Sequence, residues 1–167
     1  MRKRRTDVLT KIRTDMEGRF REATCLLVNV AVFDSTSNGD LRVPENLSPP
    51  ELLREFRSLG AEIVFYGSDA GDFASTSGFG GLIEENGHRI TDDRAYVLGR
   101  AGKKDCVLLG SELADIDFFL SGVFSVAASS APLDLKRVSS YVSNFDGEAV
   151  FTELGNLIVN SKEGDWE

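Results

Sequence analysis

Residues 23–33 read Ala-Thr-Cys-Leu-Leu-Val-Asn-Val-Ala-Val-Phe, a nearly unbroken apolar and β-branched run. Such a run predicts a strand covered on both faces, as in a parallel sheet. The period then changes. Ser48-Pro49-Pro50-Glu51 supplies an N-cap, first-turn prolines and an early acid, Leu52, Leu53, Phe56 and Leu59 follow at helical spacing, and Gly60 closes the pattern. Further buried strands are expected over 61–66, 105–109, 123–127 and 138–142, with helices over 112–120 and 147–159. Asn38-Gly39 is a turn dipeptide that predicts a short hairpin. Gly78, Gly80 and Gly81 neither follow a strand nor open a helix in the dinucleotide-binding sense, so a flexible loop is expected there.

Strands alternating with helices predict βαβ units with right-handed crossovers. The expected fold class is therefore α/β, a Rossmann-like three-layer sandwich on a mainly parallel central sheet, with a small cap or none. The expected organisation is a basic amphipathic helix over 1–22, an α/β domain over 23–160 and a tail over 161–167. Within the first segment Leu9, Ile12, Met16 and Phe20 share one helical face, which predicts packing on the domain or on a neighbouring subunit.

Charge narrows the partners. Residues 1–22 hold eight Lys/Arg against four Asp/Glu (net +4), leaving eleven against twenty-three on the other 145 residues (net −12). An acidic body repels phosphate backbones, so nucleic acid is not an expected partner. Arg2, Lys3, Arg4 and Arg5 are not followed by an apolar stretch, and no run is long enough to span a bilayer. The expectation is a cytoplasmic protein that does not engage membranes. Cys25 and Cys106 fall in strand-like runs and read as small core residues rather than a disulfide framework.

In parallel sheets ligands bind beyond the carboxyl ends of the strands, which directs attention to residues 29–34, 66–69 and 110–117. Asp105-Cys-Val-Leu-Leu-Gly-Ser-Glu-Leu-Ala-Asp115, continuing through Val123-Phe-Ser-Val-Ala127, resembles the strand, acidic loop and Val-Gly-x-Ser-Val-Ala segment of the haloacid-dehalogenase superfamily. Ala131-Pro132-Leu133, Ser140-Tyr141-Val142 and Gly147-Glu148-Ala149-Val150 match in spacing the tail of its capless 3-deoxy-D-manno-octulosonate 8-phosphate phosphatase branch. The C-terminal domain of some CMP-sialate synthetases is similar. The resemblance covers residues 23–160.

That resemblance implies an Asp-x-Asp pair at the end of the first strand, one acid attacking phosphorus and the other handling the leaving-group proton, with carboxylate-held Mg²⁺ neutralising the phosphoryl charge. Alignment on Leu26-Leu27-Val28 puts Asn29 and Ala31 at those positions. Alignment on Ser37-Asn38-Gly39 puts Ala31 and Phe33 there. A third register makes Asp34 the nucleophile and Thr36 the second position. No register restores two carboxylates. Tyr66 stands where the family has a phosphate-holding Ser or Thr, with Ser68 nearby. His88 and Arg89 stand roughly twenty residues before Gly110, where the resemblance implies a phosphate-binding Lys; Arg89 keeps the charge, and His88 reads as an exposed loop residue. In the metal loop Ser111 and Glu112 replace two acids and Asp115 keeps the third. Glu112 and Asp115 could still hold Mg²⁺ weakly, while Asp117 reads as a solvated helix residue. Phe145-Asp146-Gly147-Glu148 replaces a Gly-Gly-Arg-Gly segment and adds acids.

The expected function is thus a degenerate relative with lost or impaired phosphatase activity and a binding, scaffold or oligomerisation role, needing no cofactor. One alternative is an active Mg²⁺-dependent sugar-phosphate phosphatase using Asp34, with Ser68 and Arg89 on the phosphate. Another is a non-catalytic sensor of phosphorylated or nucleotide-sugar metabolites. The resemblance implies a homotetramer whose post-strand hairpin covers a neighbour's site. The stretch between Asn29 and Tyr66 is shorter here, so the hairpin is trimmed and an oligomer or another protein partner is expected without a fixed subunit number.

Overall fold

The computed structural model describes residues 16–34 and 46–163. Leu9, Ile12, Thr36, the basic residues before 16 and the Asn38-Gly39 turn lie outside them. Six strands, β1 (Cys25–Asn29), β2 (Glu62–Tyr66), β3 (Arg89–Thr91), β4 (Cys106–Gly110), β5 (Phe124–Ala127) and β6 (Tyr141–Val142), form one sheet in the order β3-β2-β1-β4-β5-β6. Each pairing of neighbours is parallel. This is the α/β, Rossmann-like architecture expected from the alternation of apolar runs.

Strand alternation sorts the core into two layers. Leu26, Val28, Ile63, Phe65, Val107 and Leu109 face one side, where they meet α1 (Pro49–Ser58) and the closing helix. Cys25, Leu27, Val64, Tyr66, Cys106 and Leu108 face the other, covered by Val97, Ala101, Phe118, Phe119 and Leu135. The first layer carries five phenylalanines in mutual contact, Phe33, Phe65, Phe73, Phe79 and Phe151, with ring centroids 4.9 to 6.3 Å apart. Helix α1 starts as its sequence predicts: Ser48 accepts from the Glu51 amide, Glu51 accepts from the Ser48 amide, and Gly60 follows with φ of 76°.

Several expected elements need correction. The first strand stops at Asn29, and Val30–Asp34 folds into a 3₁₀ turn although its residues are β-formers. Gly80 and Gly81 open a helix, α3 (Gly80–Glu85), which follows α2 (Ala70–Thr76). The glycine is needed for space, since a Cβ on Gly80 would meet the Ala74 carbonyl oxygen at 2.1 Å. Strand β3 and α4 (Arg94–Ala101) were not among the expected elements. The expected helix over 112–120 is instead a 3₁₀ turn, Leu113–Asp115, leading into the single-turn α5 (Ile116–Phe119).

At the chain ends, α6 (Leu133–Arg137) precedes β6, and the closing helix α7 (Glu148–Glu163) runs past residue 160. Residues 16–22 are helical and packed, with Phe20 fully buried against Phe124 and Lys162 donating to the Arg21 carbonyl at 2.8 Å. No described helix is long and apolar enough to cross a membrane.

His88 is buried rather than exposed. Its Nδ1 accepts from the Ile63 amide at 2.9 Å and its Nε2 lies 2.7 Å from the Leu53 carbonyl oxygen. A backbone amide can only donate, so Nδ1 is bare and Nε2 carries the proton, which requires the neutral ring. Burial accordingly lowers its pKa below the ordinary 6.5. The unfolded chain binds a proton below about 6.5 where the native ring does not, so this group removes stability as pH falls below that value. Urea unfolding measured across this range should show that loss. His88→Gln should abolish the His-dependent part of the slope and cost about 1–3 kcal/mol at neutral pH, by leaving one buried partner unpaired.

Candidate functional site

Three strand-end positions on one face of the sheet define the site. Asn29 ends β1 and pairs in register with Tyr66 at the end of β2. Gly110 ends β4, one residue beyond Leu109, the partner of Val28. Chain direction changes after each. Asn29 Oδ1 accepts the Ala31 amide at 2.8 Å, an Asx-type contact that turns the backbone into the 3₁₀ segment. Gly67 takes φ of 140°, where a side chain would be strained, and a Cβ there would press on Asn29 Oδ1 at 3.1 Å.

Asp115 fills the space above these positions. A Cβ at Gly110 would stand 2.7 Å from Asp115 Oδ2 and 2.8 Å from the Phe119 ring, so the absent side chain is what admits the carboxylate. Asp115 is fully buried. Tyr66 donates its hydroxyl to Oδ1 at 2.6 Å, and the Ser111 and Glu112 amides donate to Oδ2 at 3.0 and 3.2 Å. The Asn29 amide nitrogen lies 3.0 Å from both Asp115 oxygens and 2.8 Å from Glu112 Oε2. Burial raises the Asp115 pKa, opposed by these hydrogen bonds, Tyr66 first. Each surrounding group is a donor, an arrangement suited to the ionised carboxylate. Burial and the neighbouring Asp115 charge push the Tyr66 phenol well up, so it stays a donor.

This donor set does not fit a divalent cation. A metal needs carboxylate lone pairs, and here both Asp115 oxygens are taken by protein hydrogen atoms while an amide N–H₂ points between Asp115 and Glu112. No group of three or more His, Cys, Asp or Glu side chains among the described residues is placed to hold a metal.

The residues singled out from sequence divide into two sets. Asn29, Tyr66, Ser68 and Glu112 line one cavity of about 210 Å³, together with Gly67, Asp92, Asp93 and Arg94; Ser111 joins them through its amide and Ala31 through its bond to Asn29. Asp34 lies elsewhere. It is exposed at the end of the 3₁₀ turn and lines a separate cleft of about 590 Å³ with Asp69, Asp72, Glu148 and the phenylalanine cluster's Phe33, Phe73 and Phe79. Arg89 is level with Val64, two residues short of the sheet end, and its guanidinium stacks 4.7 Å from the Tyr96 ring centroid. Asp117 is exposed on α5.

Arg94 was missed. It begins α4, donates to the Ala114 carbonyl at 2.7 Å and lies over the Phe118 ring at 4.5 Å, which brings a cation to the cavity wall. The signal was present, since Asp93-Arg94 is an N-cap followed by a first helical residue and Asp93 accepts the Tyr96 amide. Asp146, in the segment that replaces Gly-Gly-Arg-Gly, is buried and accepts the Ser130 amide at 2.7 Å, so that acid fastens a loop.

Neither a protein-family profile nor a curated protein matches the sequence. Solved structures match its fold. The 3-deoxy-D-manno-octulosonate 8-phosphate phosphatase of Yersinia pestis is 16% identical, with 90% of this chain and 88% of that chain covered at a TM-score of 0.63. The same enzyme of Moraxella catarrhalis, solved with magnesium, phosphate and KDO, is 14% identical over 90% and 94% at 0.65. The cobalt-bound form from Haemophilus influenzae is 13% identical over 88% and 93% at 0.61. Likeness at this level of identity speaks to architecture: the chain has the haloacid-dehalogenase fold of the 3-deoxy-D-manno-octulosonate 8-phosphate phosphatases.

Proposed function

We propose that this protein is a non-catalytic relative of the phosphatases whose fold it has, acting as a binding, scaffold or oligomerisation module. The observation that carries the reading is the Asn29 amide at the end of β1, with its N–H₂ turned onto Asp115 and Glu112. An amide at that position is a poor nucleophile toward phosphorus. Its hydrogen atoms also satisfy the carboxylates that would otherwise attract a cation. Tyr66 adds bulk and a third donor where a phosphate would need open space. The cavity beside them carries Asp92, Asp93 and Glu112 against one Arg94, a balance that disfavours an anionic ligand.

The alternative use of Asp34 finds no support in its surroundings, since the residues lining its cleft and those lining the Asn29 cavity do not overlap. On this reading, what remains is an acidic body. Its partner is a protein or a second copy of itself, and light scattering on the purified chain reads the second directly.

Two measurements test this reading. With millimolar Mg²⁺ and a panel of phosphomonoesters, including an octulosonate 8-phosphate, the protein should release no phosphate above background. Asp34→Asn should change neither that result nor stability by more than ~0.5 kcal/mol, because Asp34 is exposed. Turnover abolished by Asp34→Asn would establish the phosphatase instead.

The second measurement restores charge. Asn29→Asp places a third carboxylate within hydrogen-bonding distance of Asp115 and Glu112, and should destabilise the protein by about 2–4 kcal/mol in the absence of metal. Mg²⁺ should then raise the melting temperature of the variant and leave the wild type unmoved. An equal rise in both would mean that the wild-type carboxylates already take the ion.

A further inference from the structure

The opposite end of the sheet carries a second chemical feature. Cys25 and Cys106 begin β1 and β4, are direct partners in the parallel register, and both face the same core layer. Neighbouring strands lie about 4.8 Å apart, inside the Cα separation of about 4.4–6.8 Å that a disulfide accepts. The two thiols are free.

Their surroundings are asymmetric. Arg100 Nη1 lies 3.0 Å from Cys106 Sγ, and the Cys106 thiol lies 3.0 Å from the Arg100 carbonyl oxygen. The same guanidinium is held by Asp105 at 3.0 Å and lies 3.6 Å from Glu62. The hydrogen bond from Cys25 and, after it, the Arg100 charge draw the Cys106 pKa down, while that shared bond and burial push Cys25 up. The pair therefore divides its roles: Cys106 gives up its proton first and Cys25 keeps its own. Both sulfurs are buried, yet the Arg100 side chain beside Cys106 is 16% exposed and the Asp105 side chain 36%, so solvent is one side chain away.

We propose that Cys25 and Cys106 form an oxidisable dithiol, with Cys106 as the thiol that attacks a peroxide and Cys25 as the resolving thiol. The Cys106 thiolate attacks one peroxide oxygen, the O–O bond breaks, and the departing hydroxide or alkoxide takes up a proton, leaving Cys106 sulfenic acid. Cys25 then attacks that sulfur. The S–S bond forms as the S–O bond breaks, and the Cys25 proton leaves with the hydroxyl as water. One peroxide is reduced by two electrons and two thiols are oxidised to one disulfide. Arg100 steadies the thiolate, and sulfur rather than a metal carries the chemistry.

Hydrogen peroxide added to the folded full-length protein, followed by mass spectrometry, tests this. The mass should fall by two hydrogens, a Cys25–Cys106 cross-linked peptide should appear in a non-reducing digest, and a dithiol reductant should reverse both. Cys25→Ser should stop at one added oxygen, trapped by dimedone on Cys106. Arg100→Gln should slow oxidation at neutral pH roughly ten-fold, because it removes the guanidinium 3.0 Å from the Cys106 sulfur. Two thiols surviving in the folded wild type, under conditions that oxidise the urea-unfolded chain, would overturn the proposal. So would dimedone found on Cys25, or cross-links only between chains. The wild-type digest needs no variant to fold.

Discussion

The site end of this molecule is organised around one buried carboxylate. Removing an ionised carboxyl from water costs several kcal/mol unless partners replace its hydration, and Asp115 has no exposed surface. Its partners come from three places: Asn29 on β1, Tyr66 on β2 and the amides of Ser111 and Glu112 in its own loop. Each requirement fixes a neighbour. Gly110 must lack a side chain to admit the carboxylate, Gly67 must take a left-handed backbone beside Asn29, and Phe119 closes the wall behind. A loop that might have been an open acidic bowl is stitched to two adjacent strands.

The difference between an amide and a cation at this point decides what the cluster can do. A cation would gather carboxylates and still offer open coordination positions to a phosphoryl oxygen. The Asn29 side chain offers two hydrogen atoms, and both are spent on Asp115 and Glu112. Its oxygen is spent as well, on the Ala31 amide. Each polar atom of Asn29 therefore has an internal partner, and the residue acts as a joint between the strand end, the 3₁₀ turn and the acidic loop. Arg94 contributes similarly, tied to Ala114 and stacked on Phe118.

Much of the sheet was legible because parallel strands buried on both faces leave continuous apolar runs, and β1, β2, β4 and β5 are such runs. The end of β1 was not. Val30, Ala31, Val32 and Phe33 have strand composition, and only the Asn29 side chain bonding back to Ala31 shows why the chain turns there. That turn carries Phe33 into the opposite core layer and Asp34 into another cleft. At the site, the strand pattern directed attention to the strand ends, and the family resemblance named Asn29, Tyr66, Glu112 and Asp115, which the structure brings together there. Neither could place Arg94, since an arginine's reach depends on the helix that starts under it. His88 was misread because a histidine in a polar stretch gives no sign that two backbone groups will close around its ring.

The central strand links these observations. Cys25, Leu27 and Asn29 are alternate residues of β1 and face one layer, so a single strand places a thiol at its amino end and an amide at its carboxyl end with a fully buried leucine between them. Its neighbour β4 begins with a second thiol, Cys106, and ends with Gly110. In a parallel sheet both ends of a central strand are flanked by the like ends of two others, so polar groups at either end converge without long loops. At the carboxyl end the convergence is closed by hydrogen bonds that leave Asn29 and Asp115 fully engaged. At the amino end it brings together two free sulfurs and one arginine, at the end of the sheet opposite the Asn29 and Asp115 cluster.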